Sequence, residues 1–227
     1  MFTRTLLILS VLLLTACNNT YTWRQKLTVT VQTPDGEVSA SSVTEVTKIQ
    51  SDSFWMPIEA RGVQSSLRGE AVALEVTPGR YLFVLLDGQD QLALRAFPQF
   101  TYQRDGEFRQ WARSIERHRG SGELPPEYYP TMVTFENIDD PTSLGIVDPT
   151  NIATTFGVNY ALTGLTVTIT EDPSEIGTIT NILSWLRDVG MAQANVKGLP
   201  EGGISRDAPT PAVYWIAPSD FLTELYR

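Results

Sequence analysis

Cysteine and histidine are almost absent from this sequence, which has one of each in 227 residues. A single cysteine cannot close an internal disulfide, so the hydrophobic core has to hold the fold together. These counts exclude a redox-active cysteine pair and argue against a structural zinc site, which takes four cysteine or histidine ligands. A serine–histidine–acid triad would depend on His118, and the sequence contains no Gly-x-Ser-x-Gly motif.

Positive charge is also scarce. The chain has 17 basic and 26 acidic residues, and its net charge is -9. Nucleic acid and anionic lipid both select basic surfaces, so neither is favoured as the main partner, and we predict no nucleic-acid binding. No glycine-rich loop follows a predicted strand and opens a helix, and we expect no cofactor.

Long apolar runs are scarce, and the longest lies near the start of the chain. It covers residues 6–14, follows Arg4, and is too short for a helix that spans a bilayer. Leu14-Thr15-Ala16-Cys17 comes directly after it. This order of charge, apolar core, small residues and cysteine resembles a bacterial lipoprotein signal with its lipobox.

The resemblance implies that residues 1–16 are removed as a signal peptide and that the Cys17 thiol is acylated. Two or three acyl chains anchor a protein stably, since each buried methylene contributes about 0.8 kcal/mol. Asn18 and Asn19 follow where an aspartate would resemble an inner-membrane retention signal. We therefore expect a cell-envelope protein anchored in the outer membrane through Cys17 and facing the periplasm, with residues 17–26 as a lipidated tether.

Residues 27–227 have the composition of one globular domain, here a periplasmic one. The whole chain is 42% hydrophobic and 19% charged, which argues against disorder. Glycines and prolines between 120 and 128 mark a possible subdomain boundary. We predict an α+β fold, mainly an antiparallel sheet or sandwich with two to three peripheral helices; the alternative is an all-β sandwich with inserted helices.

Period-two alternation predicts several strands. Residues 27–33 and 38–49 alternate on either side of Pro34-Asp35-Gly36, which predicts a hairpin. Residues 81–86 are apolar throughout, as in a strand with both faces covered. Residues 91–97 and 162–170 are predicted as further strands.

Helical spacing appears in two places, and turn residues mark several connections. Phe108, Trp111 and Ile115 predict a helix over 106–118, and a second is predicted over 178–189, with a short one at the C-terminus. We predict irregular connections over 51–69 and 194–211.

The C-terminal half resembles a group of uncharacterised lipoproteins from Gram-negative bacteria. The motifs that carry this resemblance are Val133-Thr134-Phe135, Asp140-Pro141-Thr142-Ser143, Val147-Asp148-Pro149, Phe156-Gly157 and Thr166-Val167-Thr168-Ile169-Thr170. That group has no known activity, so the resemblance implies no site residue.

Two clusters of charge are candidate sites. Arg109, Arg113 and Arg117 recur every four residues and share a helix face, which can bind an anion or a partner or can simply be solvated. Asp139, Asp140 and Asp148 lie in an acidic loop and are weak candidates for a metal site, because hard cations take several oxygen ligands. Their spacing does not match an EF-hand and their Asp-Pro pairs suit turns, so we predict no metal.

These features favour a non-catalytic binding or assembly module that contacts an envelope protein through an exposed sheet edge or through the arginines. Tyr128-Tyr129 beside Pro125-Pro126 is a second candidate binding edge, although aromatic residues are more often core. The alternative is a lipid-anchored envelope hydrolase that uses paired carboxylates. No catalytic residue can be assigned, because two acids can converge from anywhere in the chain.

Overall fold

Two antiparallel sheets pack face to face, and short helices surround them. The computed structural model describes residues 20–51, 62–100, 107–174, 176–189, 204–206 and 214–223. The predicted α+β fold, mainly antiparallel sheet with peripheral helices, is confirmed.

The first sheet has five strands in the order β3-β2-β1-β9-β6. Their bounds are β1 Thr20–Thr33, β2 Gly36–Ser51, β3 Gly62–Arg68, β6 Gly120–Glu123 and β9 Ala161–Thr170. The β1–β2 hairpin pairs Thr20 with Ile49 at one end and Thr33 with Gly36 at the other, which confirms the predicted hairpin. Gly36 closes the turn at a φ of 126°, a conformation that favours glycine.

The second sheet has four strands in the order β4-β5-β7-β8, and a small two-stranded sheet lies near the C-terminus. The strands of the second sheet are β4 Val72–Thr77, β5 Arg80–Val84, β7 Met132–Phe135 and β8 Leu144–Ile146. The small sheet joins β10 Ile204–Arg206 to β11 Tyr214–Ile216. The α-helices are α1 Leu92–Ala96, α2 Phe108–Arg117, α3 Ala153–Phe156, α4 Thr178–Ile182 and α5 Leu186–Val189.

The second sheet is buried on both faces, which divides the core into two clusters. Leu82 and Val84 of β5 pack in the cluster shared with the first sheet and α2, while Phe83 packs in the cluster shared with α4 and α5. Neighbouring residues of β5 thus serve opposite faces, as the unbroken apolar run predicts.

The predicted tether over 17–26 is wrong from Thr20 onward, because β1 begins there. Tyr21, Trp23 and Gln25 are buried on the face that Leu27 continues, so period-two alternation starts earlier than predicted. Residues 17–19 lie outside the described part of the chain.

The possible subdomain boundary over 120–128 begins with four residues that form β6 and pair with β9. Main-chain hydrogen bonds with β9 make these four residues part of the first sheet. The chain then enters the second sheet at Met132.

Other elements differ from their predictions for identifiable reasons. Residues 91–97 form mainly helix α1, which is too short for its apolar spacing to distinguish it from a strand, and the connection over 51–69 contains strand β3. The helix predicted over 178–189 is broken at Leu183, and Trp185 Nε1 donates to Ile138 O at 3.1 Å. The C-terminal helix is a single 3-10 turn, Pro218–Asp220, and β10 falls inside the loop predicted over 194–211.

Candidate functional site

The arginine row lies on α2, which presents two of its three members to solvent. Arg113 and Arg117 are exposed, whereas Arg109 is half-buried and donates from Nε to Gln50 Oε1 at 3.0 Å. Within the described part of the chain, Arg113 and Arg117 have no hydrogen-bond or ion-pair partner. One arginine therefore binds the first sheet, and two are available to a ligand.

Ring packing holds α2 against the first residues of β1. Two edge-to-face contacts join them, Tyr21 with Phe108 at 5.8 Å between centroids and Trp23 with Trp111 at 5.6 Å. The pairing of β9 with β1 starts only at Arg24, and the free N–H of Thr22 donates to Glu116 Oε1 at 2.7 Å. The helix thus covers the start of β1 beyond the end of the antiparallel strand β9.

The acidic loop consists of turns whose carboxylates cap their own backbone. Asp140 Oδ1 accepts from the hydroxyl and the N–H of Thr142 at 2.6 and 2.9 Å, and Asp148 Oδ1 accepts from Thr150 in the same way at 2.7 and 2.8 Å. These hydrogen bonds, the hydroxyl first, lower the pKa of both aspartates. The Asp139 N–H donates to Asn137 Oδ1.

The described residues contain no group of three or more His, Cys, Asp or Glu side chains that can hold a metal ion. Asp139, Asp140 and Asp148 are therefore not brought together as a ligand set. Asp140 and Asp148 instead perform the capping role that their Asp-Pro pairs suggest.

An open cleft of about 650 Å³ lies at the end of the first sheet that is opposite to α2. Its lining includes Glu37, Glu123, Pro125, Pro126, Tyr129 and Thr163. Both glutamates are exposed, and the cleft has the volume of an ordinary ligand site. The structure thus brings three members of the predicted proline–tyrosine edge together with two carboxylates whose pairing no local sequence pattern indicates, while Tyr128 does not line the cleft.

A buried ion pair is the main cluster that sequence reasoning missed. Lys48 Nζ donates to Asp90 Oδ2 at 2.8 Å and to Ser65 Oγ at 2.6 Å, and its side chain is only 4% exposed. A signal was present, because Lys48 continues the inward phase of Thr44 and Val46 along β2. A charged residue in an apolar phase calls for a buried partner.

Lys48 and Asp90 form a structural ion pair. Burial raises the pKa of Asp90, but the hydrogen bonds and charge of Lys48 outweigh it, and the net shift is downward. An ammonium paired with a carboxylate cannot accept a proton, so it does not activate Ser65 as a nucleophile. The pair joins β2, β3 and the turn that carries Asp90.

Buried amides hold that turn in place. Gln25 Nε2 donates to Gln89 O at 2.5 Å, and Gln89 Nε2 donates to Leu85 O at 2.9 Å. Trp23 Nε1 donates to Gln25 Oε1 at 3.2 Å, so these side chains form a hydrogen-bonded series from β1 to the turn. These hydrogen bonds position the turn so that Asp90 lies against β2 and β3.

Cys17, the predicted lipidation site, lies outside the described residues. None of the helices in the described ranges has the length and apolar character needed to cross a bilayer. No family model matches the chain, and neither a curated protein nor a solved structure gives a significant match.

Proposed function

We propose that this protein is an envelope lipoprotein, held in the outer membrane through Cys17 and facing the periplasm, and that it is a non-catalytic module for binding a protein partner. Residues 1–17 support the anchor through their order of charge, apolar run and lipobox. The resemblance of the C-terminal half to uncharacterised lipoproteins supports the same class. Cys17 and Thr20, where β1 begins, are only three residues apart, so the anchor is closely joined to the fold.

The observation that carries the binding role is the cleft beside Pro125 and Pro126. Thr30 of β1 lines it, ten residues along the strand from Thr20. A strand rises about 3.3 Å per residue, so the cleft lies roughly 33 Å from the anchored end of β1. A tether at one end and a binding cleft at the other suit a protein that presents a ligand site to the periplasm.

The lining of the cleft indicates the kind of partner. Among its described lining residues, Glu37 and Glu123 supply negative charge and none is a cation. Tyr129 and the two prolines offer flat apolar surface beside backbone and hydroxyl groups. A basic, extended segment of a protein matches this combination of charge and shape.

A pulldown from a detergent extract of the envelope tests the binding role. The bait is the mature chain with Cys17→Ser, and elution proceeds in steps of salt. We expect one stoichiometric partner that the Glu37→Lys/Glu123→Lys variant fails to retain. Glu127→Lys/Glu136→Lys is the matched control, because it reverses two charges at exposed sites that do not line the cleft. Equal recovery with all three baits would contradict the proposed contact.

The second candidate function is hydrolysis of an envelope polymer, and one observation favours it: Glu37 and Glu123 line the same cleft. Paired-carboxylate hydrolysis needs one acid that stays protonated, and such acids usually lie among apolar groups. Both side chains are exposed, which favours the binding role. Turnover of peptidoglycan fragments by the unmodified chain, lost in both Glu37→Gln and Glu123→Gln, would establish the hydrolase instead.

A further inference from the structure

Carboxylates neutralise three of the cations near the start of β1. Three ion pairs do this, Arg24 with Glu45 at 3.1 Å, Arg119 with Glu171 at 2.5 Å, and Lys26 with Asp172. Arg119 and Lys26 correspondingly lower the pKa of Glu171 and Asp172, mainly through their hydrogen bonds. These side chains are committed to the fold and add little net charge.

Arg113 and Arg117 are different, because they are exposed and have no partner among the described residues. Glu116, which lies between them in sequence, accepts from the Thr22 N–H; its carboxylate keeps its charge but forms no ion pair with either arginine. The two guanidinium groups therefore form a small positive surface on a protein whose net charge is -9. We call Arg113 and Arg117 the free arginine pair.

The free arginine pair lies at the anchored end of the molecule. Its helix contacts Tyr21, Thr22 and Trp23, the residues that directly follow the start of β1 at Thr20. A chain spans at most about 3.5 Å per residue, so the Cys17 and Thr20 Cα atoms are no more than about 11 Å apart. A tether this short lets the start of the fold contact the headgroups directly, which the attraction requires because it is largely screened beyond the Debye length of about 8 Å at physiological salt.

We propose that Arg113 and Arg117 bind the phosphate groups of anionic phospholipids in the leaflet that holds the acyl chains, and that this contact orients the anchored protein. The inference rests on the lipid anchor proposed at Cys17. Guanidinium groups bind phosphate oxygens in a bidentate manner, and tethering raises the local headgroup concentration for this helix far above that in free solution. The acidic remainder of the surface is repelled, which leaves α2 as the face turned to the membrane.

The test uses the full acylated protein in vesicles of phosphatidylcholine with or without phosphatidylglycerol. The readout is hydrogen exchange of the α2 peptide. We expect phosphatidylglycerol to slow exchange in the unmodified protein and not in Arg113→Gln/Arg117→Gln. Each arginine near an anionic surface contributes about a fivefold preference, so the double variant should lower the docked-to-undocked ratio roughly 25-fold.

The matched control is Arg95→Gln/Arg187→Gln, which removes the same charge from exposed sites outside α2 and should behave as the unmodified protein. Urea unfolding of each variant checks that the fold is retained.

An acylated protein whose α2 exchange is unaffected by phosphatidylglycerol would overturn the orientation proposal alone. A mass spectrum without acyl chains on Cys17 would instead overturn the anchor. Protection of α2 in native envelopes but not in these vesicles would assign the arginines to a protein partner and would also overturn the proposal.

Discussion

Lys48 is a charged residue in the protein interior, and its environment depends on one partner, Asp90. Its ammonium is surrounded by the interior of the sandwich, whereas the side chain of its partner Asp90 is 25% exposed. Removing one member of a buried pair leaves the other to face its own desolvation. The two members should therefore differ in what their loss costs.

We expect Asp90→Asn to lower the free energy of unfolding by about 3 kcal/mol and Lys48→Met by only about 1 to 2 kcal/mol. Asp90→Asn leaves a buried ammonium without a counter-charge, while Lys48→Met leaves a carboxylate that water can reach. Urea unfolding at neutral pH measures both. The double variant should recover part of the Asp90→Asn loss, and equal losses for the two single variants would contradict this asymmetry.

The same pair gives stability a pH dependence. The pKa of Asp90 is lowered in the folded protein, so the unfolded chain takes up its proton first as the pH falls. The stabilisation is therefore fully present near neutral pH and is lost below about pH 4. The difference in unfolding free energy between the unmodified protein and Lys48→Met should be constant from pH 7 to 5 and should shrink below pH 4. A constant difference down to pH 3 would show that the ion pair contributes nothing to it.

Local residue pattern predicted some of these sites and not others. The phase of Phe108, Trp111 and Ile115 places Arg113 and Arg117 on the exposed face, and Asp-Pro pairs predicted the turns at Asp140 and Asp148. Arg109 escaped this logic because its partner, Gln50, is far away in sequence. The partners of Lys48 depend on strand register and on the position of a distant turn, which no local pattern encodes.

At the scale of elements, the contact of β6 with α1 is unusually close. A Cβ atom built on Gly122 would lie 2.4 Å from the Ala96 carbonyl oxygen. The glycine thus permits the end of α1 to lie directly on the edge strand. A side chain at this position would force the helix and the strand apart.

We expect Gly122→Ala to lower the free energy of unfolding by about 1 to 3 kcal/mol, because a backbone carbonyl cannot move aside as a side chain can. Gly164→Ala is the matched control, since a Cβ at that strand glycine meets nothing within 4 Å. It should change stability by less than about 0.5 kcal/mol. Thermal unfolding of both variants measures the difference, and similar losses would show that the close approach is not what matters.

Elements with strong periodicity were predicted, and elements stabilised by distant pairing were not. The β1–β2 hairpin and α2 carry their own alternation or helical spacing, and both are present. Strand β6 is Gly-Ser-Gly-Glu, whose residues favour a turn, and it is a strand because β9 offers it an edge. Helix α1 was predicted as a strand because five residues hold too little helical period to distinguish the two.

At the scale of the whole molecule, β1 connects two ends of different character. The aromatic contacts with α2 and the free arginine pair lie where β1 begins, and the cleft with its two glutamates lies ten residues along the strand, by Thr30. Positive surface near the anchor and negative surface away from it would orient the protein on an anionic membrane. The cleft would then face the periplasm.

This orientation predicts different membrane distances for two labels. Acylation would block the Cys17 thiol, so a cysteine introduced elsewhere would be the only reactive one. Gln110→Cys places a dye on the exposed surface of α2, and Thr163→Cys places one at the cleft. In vesicles containing phosphatidylglycerol and an acceptor dye on the headgroups, energy transfer should be much stronger from position 110, because the two ends of β1 are separated by roughly 33 Å.

Adding Arg113→Gln/Arg117→Gln should reduce the difference in energy transfer between the two positions, since the anchored protein could then tumble about its tether. Equal transfer from both positions in the otherwise unmodified protein would mean that β1 lies flat on the membrane and that the cleft does not face away from it.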